Sequence, residues 1–100
     1  MYRWVRTARI KAGKGAEARQ WAKATADLLN ERYPGHALEA HIEYFGAGNT
    51  IHWTSTSADL SDLETYINQT NADEAYQALA GKFWDYFVEG SVHDTLMRSV

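Results

Sequence analysis

The chain has 100 residues, 45% of them hydrophobic and 23% charged, and 10 Lys and Arg against 13 Asp and Glu leave a net charge of −3. With no cysteine, disulfides, iron–sulfur clusters, thiolate zinc sites and cysteine nucleophiles are excluded together. No run of basic residues offers a surface for nucleic acid, and no apolar stretch approaches the roughly 20 residues of a membrane helix. Met1 to Arg9 lacks the apolar middle of a signal peptide. The expectation is one domain over residues 1–100, soluble and cytoplasmic, with no nucleic-acid or membrane partner.

Tyr2 to Lys11 is rich in β-branched and aromatic residues without a breaker, which predicts a first strand. Gly13-Lys14-Gly15 makes a turn, and Ala18, Trp21, Ala22, Thr25, Leu28 and Leu29 then recur at the spacing of an amphipathic helix. Pro34 and Gly35 end it near Arg32-Tyr33. Ala37 to Phe45 alternates, with Leu38, Ala40, Ile42 and Tyr44 on one side and Glu39, His41, Glu43 and Phe45 on the other. Gly46 to Asn49 closes a hairpin with a third strand from Thr50 to Thr56, and an even loop places Glu43 opposite His52 unless a bulge shifts the register.

Ser61-x-x-Glu64 and Asn71-x-x-Glu74 have the spacing of helix-starting caps. They predict two successive helices, the second carrying Tyr76, Leu79, Ala80, Phe83 and Phe87 on one face across Gly81. After Gly90, the tail alternates Val92, Asp94, Leu96 and Arg98 against His93, Thr95 and Met97, as a final strand does.

The order β-α-β-β-α-α-β is that of a ferredoxin-like split βαβ sandwich, an α+β fold with a four-stranded antiparallel sheet and helices on one face. The uncovered face is expected to carry Val5, Phe45, Met97 and some of the four Trp. An open apolar face is uncommon on a soluble monomer, so a homodimer with two sheets face to face is the simplest arrangement.

A first strand, an AGKG turn (Ala12–Gly15) into a long helix, a hairpin with Trp53 in its return strand, the YQAL helix (Tyr76–Leu79) and a terminal strand together resemble the dimeric α+β barrel superfamily. Its branches include antibiotic-biosynthesis-monooxygenase-like, NIPSNAP-like and stress-responsive barrel proteins. The resemblance covers nearly the whole chain and implies the fold and dimerisation. It also implies a range of functions, from cofactor-independent oxygenases and isomerases to proteins of no known role. Haem-degrading relatives use an Asn in the first strand, which is missing here.

With Leu38, Ala40, Ile42, Ile51 and Trp53 turned to the helices, His41 and His52 share the opposite face with Glu39 and Glu43, and His93 can join them. Imidazoles beside carboxylates move protons near neutral pH, which makes His41, His52 and His93 the acid/base candidates. His41 and His93 lie on opposite edge strands about 14 Å apart, so one chain makes no easy metal site, and no cofactor is demanded. A plain Glu43–His52 cross-strand pair is the simpler reading of the same residues.

Arg3 and Arg9 share a strand face that Arg6 does not. Arg9 is the candidate anchor for an acidic group, and Glu39, Glu43 and Glu89 are the expected structural partners of the arginines. Trp21 and Phe83 read as core, and Trp53 as the wall of a pocket for a planar molecule.

The expected function is binding of an apolar or aromatic metabolite, with Arg9, Glu43 and Trp53 as ligand contacts. Any catalysis would be cofactor-independent oxygenation or isomerisation. The alternative is a non-catalytic stress-associated or assembly protein whose sheet face only dimerises. A cavity of ~300 Å³ or more with unpaired histidines favours the first, and a filled interface with paired side chains the second.

Overall fold

The computed structural model describes all residues, Met1–Val100. Strand β1 (Tyr2–Arg9) leads to helix α1 (Gly15–Arg32), a 3-10 turn (Pro34–His36), β2 (Glu39–Ile42) and β3 (Thr50–Ser57). Helices α2 (Leu60–Asn71), α3 (Glu74–Ala80) and α4 (Phe83–Tyr86) follow, and β4 (His93–Arg98) closes the chain. The sheet order is β2-β3-β1-β4, antiparallel throughout and open at both edges. This is the α+β, split βαβ arrangement that the element order predicts.

Helix α1 buries Ala18, Trp21, Ala22, Thr25 and Leu29 of the expected stripe against the sheet, with Ala26 buried in addition and Leu28 only half-buried. The Tyr33 backbone N–H caps its end by donating to the Leu29 carbonyl at 2.8 Å, and Pro34 then turns the chain. Ala37 takes a left-handed conformation at φ 45°. Asn30 holds the next residue from both sides, its amide donating to the Leu38 carbonyl at 2.8 Å and its oxygen accepting from the Leu38 N–H at 2.7 Å. The backbone of Leu38 is thereby satisfied by a side chain where β2 begins.

The helix caps differ from those the spacing suggests. Asp59, not Ser61, caps α2 by accepting from the Asp62 N–H at 2.8 Å, and Asp73, not Asn71, caps α3 by accepting from the Tyr76 N–H at 3.2 Å. Aspartate is as good a cap as serine or asparagine, so two polar candidates near one helix start leave the choice to tertiary contacts. The expected long final helix is broken at Gly81, where α3 stops, and α4 adds one further turn. Phe87 then leaves the helix in an extended conformation and bridges Ile10.

Trp21 is the hub of the core. Its ring meets Trp53, Phe83 and Phe87 edge-on at centroid distances of 6.2, 5.6 and 5.7 Å, geometries that aromatic quadrupoles favour. Its indole N–H donates to the Leu79 carbonyl at 2.9 Å, which ties α1 to the end of α3. Phe87 is wholly buried, together with Ala8.

None of the Trp residues lies on the open face of the sheet: Trp4 and Trp53 alternate with the open-face positions, and Trp21 and Trp84 are on helices. Phe45 is in the β2–β3 loop. The open face therefore carries Val5 and Met97 among threonines, histidines, arginines and glutamates, and is more polar than expected.

Candidate functional site

The strand register aligns His41, His52, Thr7 and His93 in one row across all four strands, on the face away from the helices. The row puts His41 opposite His52, so Glu43 is not the cross-strand partner. Glu43 lies just beyond the end of β2, and its carboxylate reaches back to His52.

His52 is the centre of a three-member chain. Its Nε2 is 2.6 Å from Glu43 Oε1, and its Nδ1 is 2.8 Å from the Thr7 hydroxyl. An ionised carboxylate can only accept, so Nε2 carries a proton towards Glu43, and in the neutral form of the ring Nδ1 accepts from Thr7. The hydrogen bond from His52, followed by that from the Ala47 N–H at 2.7 Å, holds the Glu43 carboxyl below the ordinary carboxylate range. The arrangement couples a hydroxyl, an imidazole and a carboxylate, the order in which a base is oriented by one neighbour and activates another.

The other open-face residues are less closely joined. His41 pairs with Glu39 at 3.2 Å within β2. His93 stands beside Thr7 on the far strand, and Arg9 lies two positions along β1 without an ion pair. No group of three or more His, Asp or Glu side chains is close enough to hold a metal ion.

A second feature lies on the opposite side of the sheet. Between α1, α2, α3 and the strands is a cavity of about 240 Å³. Trp4 and Trp53 form its floor, Trp21 and Leu29 one wall, and Leu63, Tyr66 and Ile67 the other, with Tyr76 and Phe83 completing it. No histidine lines it, so of the site residues expected from the sequence only Trp53 does. The volume falls short of the ~300 Å³ expected of a ligand site, and no unpaired histidine faces it.

The charged groups in this cavity cancel. Arg6 donates to Asp94 from Nε at 2.8 Å and from Nη2 at 2.9 Å, a two-point pair that joins β1 to β4. The guanidinium also lies over the Trp4 ring at 5.3 Å. The pair raises the pKa of Arg6 and lowers that of Asp94, each chiefly through their shared hydrogen bonds.

The phenols are the remaining polar groups of note. Tyr66 is 5% exposed, yet its hydroxyl finds no hydrogen-bond partner in the protein. Burial, then the nearby hydroxyls of Tyr76 and Tyr33, push its pKa up to about 12. Burial likewise raises the pKa of Tyr76.

No protein-family model matches the chain, and no curated protein matches it. Solved structures do. An uncharacterized NIPSNAP domain protein from Burkholderia xenovorans superposes with a TM-score of 0.83 at 20% identity, over 100% of this chain and 95% of the other. A NIPSNAP family protein of unknown function from Agrobacterium tumefaciens gives 0.82 at 18% identity, over 100% and 88%. An antibiotic-biosynthesis-monooxygenase-like protein from Nitrosomonas europaea gives 0.77 at 12% identity, over 100% and 99%.

The chain has the fold of NIPSNAP-domain and antibiotic-biosynthesis-monooxygenase-like proteins. At these identities the likeness is one of fold, and function has to be argued from the residues. Within this NIPSNAP-like fold, sequence reasoning missed Arg6, Asp94, Tyr66 and Tyr76 as cavity residues. The expected partner of Arg6 is a glutamate. Its real partner is set by the β1–β4 register, in which Arg6 faces Asp94 directly.

Proposed function

We propose that the protein binds a small apolar or aromatic molecule in the cavity between helices and sheet, and that it does so as a homodimer. The observation that carries this reading is a cavity walled by three tryptophans with only a few polar groups, the composition of a small-molecule site. Dimerisation is supported by β4, whose residues are exposed along its whole length, and by Val5 and Met97 on the uncovered face.

If the molecule is turned over, cofactor-independent oxygenation is the reaction class that the likeness to monooxygenase-like structures supports, with proton-transfer isomerisation the other route. His52, oriented by Glu43, is the acid/base group with the best-formed hydrogen bonds. Because His41, His52 and His93 lie on the opposite side of the sheet from the cavity, they can act only on a group held at the seam between two subunits, where Arg9 and Glu43 also lie.

One observation favours a non-catalytic assembly protein instead. Glu39 and Glu43 are already engaged by His41 and His52, so these polar side chains of the open face have partners without a ligand. Native mass spectrometry of the purified protein separates the readings. A dimer retaining a small organic molecule supports ligand binding, and a dimer that is always empty, even after incubation with aromatic compounds, supports assembly. A lone subunit at micromolar dilution overturns the shared interface.

A further inference from the structure

We propose that the cavity takes an aromatic carboxylate, its ring among the tryptophans and its two oxygens on the unused edge of the Arg6 guanidinium. This rests on the reading of the cavity as a ligand site and adds the chemical class of its occupant.

Arg6 is the only cation among the residues lining the cavity. Asp94 takes protons from its Nε and Nη2, and no other side chain accepts from it. A guanidinium carries its N–H donors in a planar fork, so Nη1 and the second N–H of Nη2 are left side by side as a free edge. Two parallel donors match the two oxygens of a carboxylate, whereas a single carbonyl oxygen uses the fork less fully.

The edge is both reachable and fixed. The Arg6 side chain is 40% exposed, and it is held from two directions, by Asp94 and by the Trp4 ring over which the guanidinium lies at 5.3 Å. A donor already held in place loses little freedom when a ligand binds.

Asp94 weakens this attraction without cancelling it. A carboxylate on the free edge touches the guanidinium but not Asp94, which occupies the adjoining edge, so the attractive charge is the nearer one and Coulomb energy falls with distance. The Asp94 side chain is itself 43% exposed, and water reduces its repulsion further. An anion elsewhere in the cavity would meet no counter-charge, which fixes the carboxylate at Arg6 and leaves the ring to Trp4 and Trp53.

The test compares phenylacetate with phenylacetamide, which keeps the shape without the charge, and with ethylbenzene, which keeps the ring without an acceptor. Binding is followed by calorimetry and by the indole N–H resonances of Trp4 and Trp53, with Trp84, outside the cavity, as the control. Phenylacetate is expected to bind at least about tenfold more tightly than either neutral molecule. Arg6→Gln is expected to erase that preference while leaving ethylbenzene binding unchanged. Asp94→Asn removes the competing negative charge and is expected to tighten phenylacetate binding several-fold without affecting ethylbenzene.

Equal affinity for phenylacetate and phenylacetamide, a preference that survives Arg6→Gln, or weaker phenylacetate binding in Asp94→Asn overturns the carboxylate assignment, and the cavity reading stands as long as ethylbenzene shifts the Trp4 and Trp53 resonances. If none of the three molecules shifts them, the cavity reading fails as well. Circular dichroism establishes that the variants are folded. Should Arg6→Gln not fold, Arg6→Lys takes its place: it keeps the charge but lacks the fork, and an undiminished preference in it overturns the assignment equally.

Discussion

Two tyrosines in this protein should respond to the same substitution with opposite sign. Tyr33 donates its hydroxyl to Asp73 at 2.7 Å, whereas the hydroxyl of Tyr66 is buried and donates to nothing. Leaving a hydroxyl buried without a partner costs about 1–3 kcal/mol, and replacing the tyrosine by phenylalanine removes that cost. The dispersion attraction that goes with a single oxygen atom is small, at about 0.1–0.2 kcal/mol per atom pair.

The net expectation for Tyr66→Phe is a gain of about 1 kcal/mol, which in a domain of this size raises the melting temperature by about 4–8 °C. Tyr33→Phe loses a charge-assisted hydrogen bond and should melt lower than wild type. The assay is thermal and urea unfolding followed by far-ultraviolet circular dichroism, at one protein concentration and on material refolded to strip any bound molecule, since both mass action and ligand shift the midpoint. A Tyr66→Phe variant that melts several degrees below wild type would refute the reasoning, because its hydroxyl would then have a partner in the free protein. A rise would show that the hydroxyl is buried without a partner in the free protein.

The clamp around Asp73 sets an acid limit. Its side chain is 1% exposed, and the hydrogen bond from Tyr33, with that from Arg32 Nε at 2.5 Å, depresses its pKa to about 2 from an ordinary 3.8. The folded form therefore binds this proton less readily than the unfolded chain, so the stabilisation is complete above about pH 4 and disappears as pH falls through about 2. The difference in urea midpoint between wild type and Asp73→Asn should shrink across that window, and a difference constant down to about pH 2 would contradict the assignment. In the hairpin, Glu43→Ala removes the acceptor of the Ala47 N–H and of His52, so hydrogen exchange at Ala47 should accelerate while amides in the middle of β1 keep their protection. Phe87 is fully buried against Trp21, Trp53 and Phe83, and Phe87→Ala should cost about 3–5 kcal/mol, a large share of the stability of a small domain, read as an early unfolding midpoint.

Periodicity locates the strands and the helical stripes because burial of one face imposes it, and the same alternation correctly separates Trp53 from His52 and Arg6 from Arg3 and Arg9. It cannot give the pairing between strands distant in sequence. The row His41–His52–Thr7–His93 and the Arg6–Asp94 pair both depend on register, and a shift of one residue in either neighbour would have turned a different set of side chains to each face. The cavity is hidden for another reason. Tyr66 lies on the same stripe of α2 as Leu63 and satisfies the apolar pattern with its ring, so nothing in the spacing distinguishes a tyrosine whose hydroxyl is satisfied from one whose hydroxyl is stranded. The difference appears only when α1, α2 and α3 close over the sheet and leave that one oxygen without a donor or acceptor to meet. The Tyr33 and Tyr66 variants measure directly the difference between a phenol whose hydroxyl is satisfied and one whose hydroxyl is stranded.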